Sequence, residues 1–77
     1  MNTLRALRIP VYGLGCGGGG AATIERQLAR LPGVLRAYVN PATEIAYVDY
    51  DPTTTAPLQP ARAIEQTGYG AGNAVEA

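Results

Sequence analysis

Six of the ten glycines in this 77-residue chain fall within eight consecutive positions, Gly13-Leu14-Gly15-Cys16-Gly17-Gly18-Gly19-Gly20. Glycine weakens a helix or strand interior by roughly 0.5–1 kcal/mol relative to alanine. No regular element therefore crosses this tract, which must be a loop. The only cysteine, Cys16, lies inside it. Cysteines kept for packing sit in apolar runs, whereas this one is surrounded by residues without side chains. A thiol in that setting is open to soft-metal or thiol chemistry.

The patterning on either side of the loop is regular. Leu7-Arg8-Ile9-Pro10-Val11-Tyr12 alternates with period two and predicts a strand with Leu7, Ile9 and Val11 inward. Pro10 cannot donate to a ladder, so its amide side should face a weak neighbour or solvent. Ala21 to Arg30 predicts a helix. Ile24, Leu28 and Leu31 recur at helical spacing there, with Glu25, Arg26 and Arg30 on the wet side. Leu31-Pro32-Gly33 ends it.

Val34 to Asn40 predicts a second strand, with Leu35, Ala37 and Val39 on one face. Asn40-Pro41-Ala42-Thr43 is a turn, and Glu44 to Tyr50 a third strand with Ala46, Val48 and Tyr50 together. A second helix is expected from near Gln59 to Thr67, with Pro60 in its first turn and Gly68 as its stop. Tyr69 to Val75 makes a poor, short edge strand, best placed beside the first strand. The order β-α-β-β-α-β predicts an α+β, ferredoxin-like sandwich: an antiparallel sheet with two helices on one face. One domain spans 1–77, with its core from about 7 to 75.

Composition narrows the chemistry. The chain has no serine, histidine or lysine, which removes the serine nucleophile, the imidazole base, the Schiff base and histidine-ligated metal. Six arginines against six carboxylates leave no net charge, and the arginines are scattered. Nucleic acid, which needs a clustered basic surface, is not an expected partner. A single cysteine cannot form a disulfide within the chain, which fits a reducing compartment. With no apolar segment near 18 residues, no membrane insertion is expected and the location is read as cytoplasmic.

Two motif readings compete at the loop. Gly13-Leu14-Gly15-Cys16-Gly17-Gly18 spells G-x-G-x-x-G between a strand and a helix. The chain is too short for a dinucleotide fold, and the next strand belongs to a hairpin. A weaker alternative is a glycine nest that holds an anion or nucleotide at the helix N-terminus.

Read in order, the fragments resemble the heavy-metal-associated domain family of soft-metal chaperones and P-type ATPase amino-terminal domains. Val11-x-Gly13-Leu14-Gly15-Cys16 resembles its opening V-x-G-M-x-C. Ile24-Glu25-x-x-Leu28-x-x-Leu31-Pro32-Gly33-Val34 resembles its first helix and turn. Val39-Asn40 and Val48-Asp49-Tyr50-Asp51-Pro52 resemble its second and third strands. Ala63-Ile64-Glu65-x-x-Gly68-Tyr69 resembles its second helix and the loop beyond.

The metal motif departs from the family's C-x-x-C. Counting forward from Cys16 the second cysteine falls on Gly19, and counting back from Ile24 it falls on Gly20. The loop is one residue longer, and the second thiol is absent.

The resemblance implies soft-ion binding or transfer, with Cu(I) first, through Cys16. Because one thiolate rarely makes a site, a second chain in a metal-bridged homodimer, a partner's thiol or a small thiol would complete it. A metal-transporting ATPase or other metal-handling protein is the implied partner, and no catalysis is expected. Gly13, Gly15, Gly17, Gly18, Gly19 and Gly20 would frame the loop. Leu14 would be the plug beneath it, and Tyr69 would pack over Cys16 or cap the second helix. Asp51 and Glu25 are expected to be solvated or capping residues. The alternative is a degenerate domain that has lost its metal and serves as an interaction module.

Overall fold

The computed structural model describes residues 4–14, 19–56 and 58–76. The first strand, β1 (Arg5–Tyr12), alternates as its sequence does: Leu7, Ile9 and Val11 are buried, and Arg8 and Tyr12 are exposed. Helix α1 (Gly20–Ala29) follows the glycine tract, then strands β2 (Val34–Asn40) and β3 (Ile45–Tyr50), helix α2 (Leu58–Gln66) and two short strands, β4 (Gly70–Ala71) and β5 (Val75–Glu76). The sheet order is β2-β3-β1-β4, β5 also pairs with β1, and every pairing is antiparallel.

Both helices cover one face. Ile24 and Leu28 of α1 and Ala63 and Ile64 of α2 share one core with Leu7, Ile9, Val11, Val39, Ala46, Val48 and Tyr50. The other face is open, and there Tyr38 and Tyr47 stack across β2 and β3 with ring centroids 6.2 Å apart. No helix among the described residues is long and apolar enough to cross a membrane.

Pro10 explains why the last edge is two strands and not one. Antiparallel residues point both backbone groups to the same side. The Pro10 carbonyl accepts from the Gly72 amide at 2.8 Å, while the Val11 amide turns the other way, to the Glu44 carbonyl. The donor that Pro10 lacks would thus have faced the edge, and the ladder breaks between Ala71 and Val75 opposite it. The single strand expected over Tyr69–Val75 is replaced by this pair.

Two further expectations are corrected. Alternation puts Leu35 on one face with Ala37 and Val39, yet Val39 is buried and Leu35 is 62% exposed. The register passes from Val34↔Tyr50 to Arg36↔Asp49, so Leu35 is the extra residue of a bulge. Val34 turns toward the core in its place.

Helical spacing puts Glu25 on the wet side of α1. It is half-buried, and its Oε2 accepts the Val39 amide at 2.8 Å. Strand β2 is the sheet's outer edge, so the carboxylate satisfies an amide that no neighbouring strand reaches.

The turns are held by specific bonds. Asp51 Oδ1 accepts from the Thr53 amide at 2.9 Å and from its hydroxyl at 2.6 Å, and these bonds hold the carboxyl below its ordinary pKa. The Asp51 amide donates to the Gly33 carbonyl at 2.7 Å, tying the α1–β2 turn to the β3–α2 loop. Thr55, buried in the same place, donates its hydroxyl to the Pro32 carbonyl.

Candidate functional site

Of the residues assigned to the metal loop, Gly15, Cys16, Gly17 and Gly18 lie outside the described residues. The flanks are described, and the fold brings them together. On one side Tyr12 ends β1 and Gly13 turns the chain with φ +96°. On the other, Gly19 caps α1 and Gly20 opens it.

Tyr69 reaches both sides. Its position follows from register: Tyr12 pairs with Gly70, which sets the preceding residue across from Gly13. Gly68, at φ +99°, ends α2 and redirects the chain into that pairing. A Cβ built on Gly13 would lie 3.7 Å from Tyr69 Cδ1. One built on Gly20 would lie 2.6 Å from the Tyr69 hydroxyl oxygen. The ring thus spans the mouth of the loop, half-buried against the core. Leu14 is also half-buried and packs against the core.

The helix end is electrostatically bare. The N-cap is Gly19, which offers no side-chain hydrogen bond, and the first turn holds no acidic residue. The Gly19 carbonyl accepts both the amide and the hydroxyl of Thr23, each at 2.9 Å. The partial positive charge of the helix N-terminus is left without a countercharge from its first turn, a setting that favours an anion or a thiolate nearby. Among the described residues, no three carboxylate, thiol or imidazole side chains cluster so as to hold a metal ion. Glu25 and Asp51 are committed to the Val39 amide and to Thr53.

Residues 9–70 match the heavy-metal-associated domain model. The chain belongs to the heavy-metal-associated domain family. Relatives agree with the match. Over 69 residues, 90% of the chain, it is 41% identical to a copper-exporting P-type ATPase of Bacillus subtilis, of which those residues make up 8%. It is 49% identical over 51 residues to a probable copper-importing P-type ATPase A of Enterococcus hirae, covering 66% of the chain and 7% of that protein. The chain thus spans less than a tenth of the length of these ATPases.

Among solved structures, the CopZ metallochaperone superposes with a TM-score of 0.82 at 31% identity, covering 87% of this chain and 98% of that one. The amino-terminal domain of a potential copper-translocating P-type ATPase from Bacillus subtilis, in its Cu(I)-loaded state, gives 0.87 at 27% identity, covering 97% and 92%. The heavy-metal-associated fold thus accounts for the βαββαβ order read from the chain.

One structural detail of the loop's flank is not legible in the sequence. The two candidate places for a second thiol, Gly19 and Gly20, are not equivalent in space. Around a Cβ on Gly19 no atom of the described residues lies within 4 Å, while Gly20 is hemmed in by Tyr69 and Leu14. Periodicity carries no information about this difference, because the crowding comes from a residue 49 positions along the chain.

Proposed function

We propose that this chain binds a soft metal ion, Cu(I) first, through Cys16 and passes it on by ligand exchange. The observation that supports the reading is that the two flanks of the loop meet at Tyr69, with no acidic residue in the first turn of α1, and that the sequence puts the chain's only cysteine between those flanks. Membership of the heavy-metal-associated family and the copper-handling relatives support the choice of ion. Soft ions prefer sulfur and accept few ligands. An incoming thiolate joins the ion before the outgoing one leaves, so that one sulfur–metal bond forms and another breaks with no change of oxidation state and no change in the covalent bonds within the chain. The task is binding and transfer, not catalysis.

One thiolate per chain leaves the ion's coordination to be completed from outside. A second copy related by a two-fold, a thiol of a metal-handling partner such as a metal-transporting ATPase, or a small thiol such as glutathione supplies the other ligand. A reducing cytoplasmic setting keeps Cys16 available for this.

The test is an anaerobic Cu(I) titration against a chromophoric chelator, with the mass of the complex read in parallel. One ion per two chains with a dimer appearing identifies a shared site. One ion per chain only with glutathione identifies a borrowed ligand. Cys16→Ser is expected to abolish binding and keep the fold. Retained affinity in that variant, or no binding by the parent chain in either condition, refutes the reading and leaves an interaction module or an anion site at the glycine loop.

A further inference from the structure

The sheet face turned away from the helices carries charges that the fold leaves unpaired. Register sets one row across four strands: Tyr38 lies opposite Tyr47, Tyr47 opposite Arg8, and Arg8 opposite Val75. All four are exposed, and the two tyrosines stack. In the next row of the same face, Arg36 lies opposite Asp49 and Asp49 opposite Ala6. Arg8 and Asp49 are therefore diagonal neighbours on adjacent strands, about 7–8 Å apart. Among the described residues, however, neither Arg8, Arg36 nor Asp49 makes an ion pair; the pair that does form joins Arg5 to Glu76.

Tyrosine and arginine are the residue types enriched where protein surfaces meet. The face carries both signs of charge, so a polyanion such as nucleic acid matches only part of it. A second copy matches all of it. Consider a two-fold axis between two such faces, midway between Arg8 and Asp49. It carries Arg8 of one copy onto Asp49 of the other and, by the same operation, Asp49 onto Arg8. The tyrosine pair lies close to that axis and meets its own copy. Strand spacing and rise make the face about 19 by 23 Å. That outline, roughly 400 Å², is about half of what each partner gives to a stable complex, so the association is weak and reversible.

We infer that two copies of this chain associate face to face through the open side of the sheet. Arg8 of each copy pairs with Asp49 of the other, and Tyr38 and Tyr47 stack between them. The association does not use Cys16, so it is distinct from a pair joined by a shared metal ion.

The test is sedimentation equilibrium with chelator and reductant present, so that no metal bridge forms. It spans about 10 μM to 1 mM, where an interface of this size dissociates. A monomer–dimer equilibrium is expected, with amide shifts on dilution centred on Arg8, Tyr38, Tyr47 and Asp49. Arg8→Asp and Asp49→Arg each set like charges opposite one another and are expected to weaken association on the order of tenfold or more. Arg8→Asp/Asp49→Arg is expected to recover most of that loss, the signature of a direct pair. Cys16→Ser is expected to associate as the parent does. Thermal melts show that each variant is folded, and Arg8→Ala and Asp49→Asn replace any reversal that is not. A monomer at every concentration overturns the inference and leaves the face to a partner of other chemistry. Shifts centred on the helices, no recovery in the double variant, or loss of association in Cys16→Ser overturn it as well. Failure of Cu(I) to bind counts against the metal reading and not against this association.

Discussion

Gly33 and Gly68 form a matched pair in which backbone strain and steric contact can be separated. Both adopt left-handed φ, +87° and +99°. An alanine at either position carries a cost of roughly 1–2 kcal/mol for that conformation, partly offset by about 0.4–1 kcal/mol from the stiffer unfolded chain. Beyond this the two differ. A Cβ on Gly68 meets no described atom within 4 Å. A Cβ on Gly33 would stand 2.7 Å from Thr55 Oγ1 and 2.9 Å from Thr54 Cβ.

The Thr55 hydroxyl is buried and donates to the Pro32 carbonyl, so moving it also disturbs a hydrogen bond. Overpacking of this kind costs typically about 1–3 kcal/mol. Gly33→Ala should therefore be less stable than Gly68→Ala by about that amount, or roughly 4–8 °C in Tm for each kcal/mol in a domain of this size. Thermal melts and urea titrations of the two single variants decide it. Equal destabilisation by both would refute the claim that the Gly33 turn is packed onto the β3–α2 loop.

Other expectations follow from the same contacts. Ile24→Ala, at 0% exposure in the centre of the α1 interface, should cost about 2–5 kcal/mol in urea unfolding. Glu25→Ala should leave the Val39 amide on the outer edge of β2 without its acceptor, speed hydrogen exchange at that amide, and cost about 1–3 kcal/mol. The Asp51 carboxyl is held below its ordinary pKa by its bonds to Thr53. Its contribution is present above the unfolded-state value, near 3.9, and is lost as pH falls through the lower folded value. Acid titration of stability should show a smaller loss in this range for Asp51→Asn.

The sequence made the fold legible where a local rule was enough. Period-two burial placed Leu7, Ile9 and Val11, and likewise Ala46, Val48 and Tyr50. Helical spacing placed Ile24 and Leu28, and Gly68 marked the end of α2. The misses share a cause. The bulge that turns Leu35 outward is set by pairing with Tyr50 and Asp49, and the role of Glu25 by an amide 14 residues away. The broken last strand depends on Pro10 across the sheet. At the candidate site, the composition of the loop and the thiol at Cys16 could be read directly. The inequality of Gly19 and Gly20 could not, because only the fold brings Tyr69 to the mouth of the loop.

The pairing of β5 with β1 has a practical outcome. Leu7 faces Glu76, and Arg5 reaches Glu76 with an ion pair at 3.4 Å, so residues 5 and 76 lie side by side. The glycine loop starts at the far end of the same strand, eight residues on, or roughly 25 Å at the usual rise. A tether, a fluorophore or a sensor chip attached at either residue would hold the domain by its base. Gly13 and Gly20, the two flanks of the glycine loop, would then lie at the end remote from the support.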